Sequence, residues 1–432
     1  MTPIVWEELD RTAQAALLLR SSGDDSAVRE KVRAMIAAVR LRGDAAVREF
    51  AERFDGVAPQ DWDVPRREWD AALATTPTAI VTALRTAAAN IARFHAEQRP
   101  HSYEIETAPG IVCGRRVMPF DTVAAYVPGG SAPLPSSLLM TVIPAVLAGC
   151  RETIVLTPPQ RGGGAPPVIL AAAAIAGASR VLTIGGAHAI AAAAFGTLTV
   201  PRADKICGPG NSWVTAAKLE VAQLAGGPAI DLPAGPSEVM VLGDGTVPPH
   251  FTAWDLLAQA EHGPDSQVLL VTTSRAEGLA VAREVLSLIK RLPREKIARQ
   301  ALASSRIIVC ADRACALAIA NRYAPEHLIL AVDTPEQWLP DVRHAGSIFL
   351  GAWSPESVGD YASGTNHVLP TAGSARAYSG LGLESFVRYQ TYQRLTRSGL
   401  ATLAPVVTTL AAAEGLDAHR MAVVARLAEE RA

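Results

Sequence analysis

Aromatic residues make up only 5% of the 432-residue chain, and neither sign of charge dominates: 40 Lys and Arg stand against 42 Asp and Glu, a formal net charge of −2. That balance leaves no basic footprint of the kind nucleic acid binding requires. Cysteine is scarce too. The five present, Cys113, Cys150, Cys207, Cys310 and Cys315, form no CxxC pair, which speaks against a disulfide framework or a thiolate zinc cage and fits a reducing cytoplasm. Long apolar runs are missing. The most apolar stretch, 168–200, is interrupted by Gly, His and Arg and reads as helix, strand and helix rather than as a membrane span. The opening MTPIVWEELDR has acids early and no basic stretch leading into an apolar one, unlike a secretory signal.

Several motifs are absent as well. No G-x-G-x-x-G follows a strand-like run, and there is no Walker A loop. Without a G-x-S-x-G elbow an esterase-type hydrolase is disfavoured. None of the cysteines has a His-rich context that would support a thiol nucleophile.

What the chain does have is 49% hydrophobic residues, with much alanine, enough for a large core with close-packed helices. At ~100–200 residues per domain the length suggests two or three domains. The stretch to about residue 98 reads as helical, with Val32, Met35, Ile36 and Val39 at helical spacing and a break at Gly23 and Asp24. Residues 103–127 are strand-like, and the turn-rich PGGSAPLPSS precedes an apolar helix. From 153 onward short apolar runs (TIVLT, VLTIGG, EVMVLGD, QVLLVTTS, SRIIVCA, HLILAV, SIFLG) alternate with helices. That alternation predicts parallel sheets covered on both faces. Residues 383–432 read as a return to helix.

Four constellations could carry chemistry. In QAEHGPDSQ, Gln259 and His262 share a helix face and could meet one metal ion; read alone, the fragment is also an ordinary helix C-terminus. In YAPEHLIL, Glu326 beside His327 ahead of a strand suits general acid–base work, or forms an exposed turn. In GDYASGTNHVLPT, Asp360, Asn366 and His367 lie on a loop that could line a site or stabilise its own turns. In EGLDAHRMAVVARL, Glu414 and His419 read by themselves as a surface helix. The GPGN turn at 208–211 could hold a phosphate at a helix start, but taken alone it favours a tight turn.

These segments, with GDAAVREFAERFDG, AAYVPGGSAPLPSSLLM, IGGAHAIAAAAFGT, DKICGPGN and AIDLPAGPSEVMV in the same order along nearly the whole chain, resemble the histidinol dehydrogenases. The resemblance implies an α/β fold: two Rossmann-like parallel-sheet domains lacking the glycine fingerprint, plus small helical N- and C-terminal segments that pack on the partner subunit. The implied division is an N-terminal segment 1–24, a first α/β domain 25–125 with 237–381, a second domain 126–236 on the NAD side, and a C-terminal segment 382–432 swapped in a homodimer. The implied activity is oxidation of L-histidinol through L-histidinal to L-histidine, with NAD and one zinc ion per subunit. By motif match, Gln259, His262, Asp360 and His419 would hold the metal. His327 would be the general base and Glu326 the activator of water. Ser237, His367 and Glu414 would join them around the substrate, with His419 and Glu414 completing the neighbouring subunit's site. Tyr126, position 188 and Asn211 would face NAD.

The chain departs from the family pattern twice: His188 stands where Gln is common, and Gly263 where an acidic residue usually follows His262. A related dehydrogenase for another small primary alcohol, such as a sulfonated diol, would share the fold and the metal site. A thiohemiacetal route through Cys150 or Cys113 is a second alternative, and a structural α/β protein that has lost function is a third.

Overall fold

A computed structural model describes residues 1–20, 26–57, 59, 61–129, 133–232 and 235–429. The break expected at Gly23 and Asp24 and part of the PGGSAP loop fall outside the described residues. The chain divides into two compact units, residues 1–98 with 121–386, and residues 99–120 with 387–432.

The larger unit holds both parallel sheets. In the six-stranded sheet the order is Pro3–Val5, Arg306–Val309, Gln267–Thr272, Glu238–Gly243, His327–Ala331 and Ser347–Leu350, and each neighbouring pair is parallel. Successive side chains of a strand point to opposite faces, and here both faces are apolar. Val239, Val241, Leu270 and Ile329 meet the helices Pro249–Ala260, Arg275–Leu288 and Glu295–Ala303. Met240, Leu242, Val271 and Leu328 face the helix Arg313–Tyr323, with Trp6 and Leu18. The N-terminal segment, expected as helical, thus opens with an edge strand that pairs with Arg306–Val309. Its three residues, PIV, are too few to register as a strand without the sheet they join.

The five-stranded sheet runs Arg180–Thr183, Glu152–Thr157, Thr122–Tyr126, Lys205–Cys207 and Ala229–Ile230, again parallel throughout. The chain adds strands on one side of Thr122–Tyr126 and then crosses to the other, so the switch point lies between Tyr126 and the loop after Cys207. Ligand crevices of open α/β sheets form at such points, outside the strand C-termini. Alanines 189 and 191–194 are buried on the helix Gly186–Phe195, where small side chains let neighbouring helices approach closely. The helices Ser26–Arg42 and Asp44–Phe54 place Val32, Val39, Val47 and Phe50 in this sheet's core, whereas the family resemblance groups 25–125 with 237–381. A hydrophobic stripe shows that a helix has a buried face but not which sheet it covers.

In the smaller unit, Val387–Leu395, Ile111–Pro119 and Tyr103–Ala108 form an antiparallel sheet, followed by the helices Arg397–Ala413 and Asp417–Ala428. Residues 387–395 correct the expectation of continuous helix. VRYQTYQRL is rich in β-branched and aromatic residues that fit a pleated surface, and its pairing partner lies far away in sequence. Among the described residues, no helix is long and apolar enough to cross a membrane.

Candidate active site

Strands Glu238–Gly243 and His327–Ala331 are neighbours in register, and Glu326, His327 and Glu238 gather where both strands begin. Glu326 Oε2 accepts from Glu238 N at 2.9 Å. His327 Nδ1 lies 3.2 Å from the Glu238 carbonyl oxygen. A carbonyl can only accept, so this bond places the ring proton on Nδ1. His327 Nε2 has no hydrogen-bond partner; Asp360 Oδ1 is the nearby acceptor, 3.5 Å away. Behind them Arg20 grips the Glu238 carboxylate with two bonds of 2.6 and 2.8 Å, and Tyr323 donates to Gln267 at 2.6 Å.

The helix Glu356–Tyr361 brings a second carboxylate. Glu356 and Asp360 are four residues apart and so share a face. Glu356 is 1% exposed, with Oε1 3.8 Å from His327 Nδ1. Among the described residues, His327, Glu356 and Asp360 form one group whose possible ligand atoms all lie within 4.8 Å of one another.

This crowding reshapes the acidities. Burial pushes the Glu326 carboxyl up to about 7, with the charge of His327 pulling the other way. Burial and the neighbouring carboxylates raise Glu356 well above the ordinary range, His327 opposing. Burial works against a charged His327, yet Glu356, Glu326 and Asp360 outweigh it and raise the imidazole well above its usual value. Asp360 is held low despite its burial by His327, with His367 and His262 adding to the effect. Paired groups displaced in this way are a mark of functional sites.

Gln259 is fully buried near the end of the helix Pro249–Ala260. Its carboxamide lies against both carboxylate oxygens of Glu356, and it can donate to an ionised Glu356 only with its nitrogen turned that way. One turn earlier on the same helix, burial pushes Asp255 up to about 7. His262 follows in the turn closed by its own N–H to the Gln259 carbonyl at 3.2 Å; it is exposed and within electrostatic reach of Asp360. His367 Nδ1 donates to the Asp360 carbonyl at 2.8 Å, which leaves Nε2 to accept from Ser137 Oγ at 3.3 Å. Asn366 instead holds the loop, donating to Met140 O at 2.7 Å and accepting from Val368 N at 2.9 Å. Ser237 is half-buried directly before Glu238.

Gln259, Glu326, His327, Asp360 and His367 therefore come together in the larger unit, with His262 and Ser237 beside them in the chain. Glu414 and His419 belong to the smaller unit, where both are exposed. Sequence reasoning passed over Glu356, Asp255 and Glu238. The usable signals were the four-residue step from Glu356 to Asp360 in SPESVGDY and the same step from Asp255 to Gln259.

The second candidate locus is the switch point of the five-stranded sheet. The Tyr126 hydroxyl accepts from Gly186 N at 3.1 Å, and burial pushes its pKa up to about 12. His188 is 1% exposed, with Nε2 3.5 Å from Asp55 Oδ2, close to the rings of Phe50 and Phe54. Asn211 caps the helix Ser212–Ala222, its Oδ1 taking Trp213 N and Val214 N at 3.1 and 3.2 Å. The amides at that helix start are thus already occupied, and GPGN acts as a tight turn.

As for the thiols, Cys113 stands on the central strand of the smaller unit's sheet, and Cys150 Sγ donates to the Phe386 carbonyl at 3.6 Å. Burial pushes Cys207 and Cys310 up to about 12, away from thiolate.

A family model for histidinol dehydrogenase matches residues 18–427. The chain belongs to the histidinol dehydrogenase family. It is 51% identical over 428 residues to a histidinol dehydrogenase of Xylella fastidiosa strain Temecula1, with 99% of each chain covered. A relative of the same name from Vibrio parahaemolyticus is 48% identical over 428 residues, covering 99% of this chain and 98% of the other. The crystal structure of histidinol dehydrogenase from Elizabethkingia anophelis is similar with a TM-score of 0.93 at 42% identity, covering 99% of this chain and 98% of that one. As a histidinol dehydrogenase family member the protein is an oxidoreductase of histidine biosynthesis acting on a small molecule.

Proposed function

We propose that the protein oxidises L-histidinol to L-histidine through L-histidinal in two NAD-dependent steps at a zinc site, in the cytoplasm. The observation that carries this reading is His327: a buried imidazole with its proton fixed on Nδ1, a free Nε2, and three carboxylates around it.

The donor set suits a divalent cation without thiolates. Asp360 would supply a carboxylate, Gln259 an amide oxygen and His262 an imidazole. His419 of a second copy would be the fourth donor. Zinc, when bound, would supply a positive charge that orients the substrate's nitrogens, and NAD would accept hydride. The chain's own residues do the rest. In its neutral form His327 takes the proton of the substrate hydroxyl on Nε2, and the surrounding carboxylates favour the imidazolium that results. Glu326, tethered by one oxygen to Glu238 N, uses the other to accept a proton from water attacking the aldehyde. Ser237, His367 and the partner copy's contribution from the position of Glu414 bind the polar ends of the substrate. Tyr126, His188 and Asn211 line the NAD side, within 126–236.

The swapped C-terminal segment, 382–432, would make a homodimer obligatory. Val406, Leu410 and Met421 are exposed apolar side chains of that unit, as expected of a surface covered in an assembly. Two measurements test these readings. The purified enzyme should reduce two NAD per L-histidinol; reduction with a sulfonated diol but not with L-histidinol would replace the substrate. Mixing inactive His419→Asn and Asp360→Asn proteins should restore roughly a quarter of wild-type turnover, because half of the dimers would carry one intact site. Mixtures that stay inactive would rule out a shared site.

A further inference from the structure

Glu238 touches both members of the proposed catalytic pair through its main chain. Its N–H donates to Glu326 Oε2 at 2.9 Å, and its carbonyl accepts from His327 Nδ1 at 3.2 Å. Where the backbone of that residue sits therefore sets where both groups point. Arg20, from the N-terminal segment, grips the Glu238 carboxylate as a fork, Nε to Oε2 at 2.6 Å and Nη2 to Oε1 at 2.8 Å. The Glu238 side chain is 3% exposed and that of Arg20 23%. The same Nη2 donates to the Tyr323 carbonyl at 2.8 Å, and the guanidinium lies 3.8 Å from the centre of the Tyr323 ring. Tyr323 ends the helix Arg313–Tyr323, and Ala324 then turns the chain with φ +54, a conformation that a non-glycine residue keeps only where its surroundings hold it. Pro325 and Glu326 follow directly. Arg20 is itself seated, because Gln267 Nε2 donates to the Leu19 carbonyl at 3.2 Å.

We propose that Arg20 is a positioning residue for both oxidation steps. Its guanidinium locks the start of the strand Glu238–Gly243 to the chain entering Glu326 and His327, and so keeps the two reacting side chains in register with each other. This rests on the reading that Glu326 and His327 carry the chemistry. A planar guanidinium can hold a carboxylate with two parallel bonds and still present a donor to a carbonyl, whereas a lysine ammonium is a point charge that fixes no such plane. Ion pairing alone would ask only for a positive charge beside Glu238. The simultaneous hold on the Tyr323 carbonyl asks for the fork. A small loss of register is enough to matter, since displacing a reacting group by about 1 Å costs on the order of 10²-fold in rate.

The test uses the full-length enzyme, with kcat and KM measured separately for L-histidinol and for supplied L-histidinal, alongside thermal melting. Arg20→Lys keeps the charge and loses the fork. It should lower kcat by roughly 10–100-fold in both half-reactions while the KM values for L-histidinol and NAD change little. The double variant Arg20→Met with Glu238→Met separates folding from positioning. It removes both charges together, which a buried pair tolerates at little cost in stability, so it should melt near wild type and show the same loss of kcat. Where the lysine variant does not fold, the double variant decides. Either variant folded and with a kcat within about twofold of wild type, against the loss expected for a misplaced group, would overturn the proposal. So would a loss confined to one half-reaction, or a rise in KM alone. Full activity in His327→Asn would sink the reading of the catalytic pair, and this inference with it. An inactive His327→Asn beside an unimpaired Arg20→Lys would remove the positioning role alone.

Discussion

Replacing His327 with Asn lowers kcat for L-histidinol by about 10²–10⁴-fold, the usual range for a positioned general base, with a much smaller change in KM. Asparagine can still donate to the Glu238 carbonyl, which His327 Nδ1 reaches at 3.2 Å, so the strand edge stays in place. What disappears is the free Nε2 and the carboxylate-stabilised imidazolium. Glu326→Gln behaves differently. Its amide can preserve the bond to Glu238 N but cannot take a proton from water, so oxidation of supplied L-histidinal falls far more than oxidation of L-histidinol. The pH dependence has a definite sign. Burial raises the Glu326 carboxyl to about 7; below that pH it is protonated and cannot act as a base, so the aldehyde step rises as pH increases through about 7. Glu326→Gln should abolish that rise. Equal losses in both half-reactions, or an unchanged pH profile, would remove Glu326 from the role of water activator, and a His327→Asn enzyme within tenfold of wild type would remove His327 as base.

The parts of this site that were legible in the sequence are those whose members lie close together. Glu326 and His327 are adjacent, and Gln259 and His262 are one helical turn apart. The alternation of apolar strands with helices announced parallel sheets for a similar reason: each strand carries its burial on both faces in its own composition. Contacts made across the chain left no such trace. Arg20 reaches Glu238 from 218 residues away, and nothing near Arg20 marks it as a partner. The strand Val387–Leu395 was lost because its sheet exists only through pairing with Ile111–Pro119. Glu356 was missed because SPES reads as an ordinary helix start, and its importance comes from Gln259 and His327 on other elements. The GPGN turn could be judged from its residues alone, since Asn211 caps the helix that follows it.

That turn also hides a vulnerability. Lys218 and Asp231 are each 1% exposed at their side chains and 2.6 Å apart. Lys218 Nζ also donates to the Gly208 carbonyl at 2.8 Å, and Asp231 accepts from Gly208 N at 2.8 Å. The pair therefore clasps both sides of one glycine. Gly208 itself has φ +108, and a Cβ there would come within 2.2 Å of the Tyr126 carbonyl oxygen, so the backbone has little freedom to settle elsewhere. Lys218→Met removes the cation, leaves the Asp231 charge buried and strips the Gly208 carbonyl of its donor. Such an unpaired buried charge costs about 3–5 kcal/mol, to be read as a loss of unfolding free energy in denaturant. The companion Lys218→Met/Asp231→Leu should recover part of that loss, because an apolar pair can replace a buried ion pair at little cost. It should not recover all of it, since Gly208 N then lacks its acceptor, a deficit of about 1–3 kcal/mol. Both variants should raise the KM for NAD more than that for L-histidinol, because the loosened loop lies beside Tyr126 and Asn211 at the sheet's switch point. A single variant within about 1 kcal/mol of wild type, against the range expected for a broken buried pair, would show that water replaces the lysine in the turn.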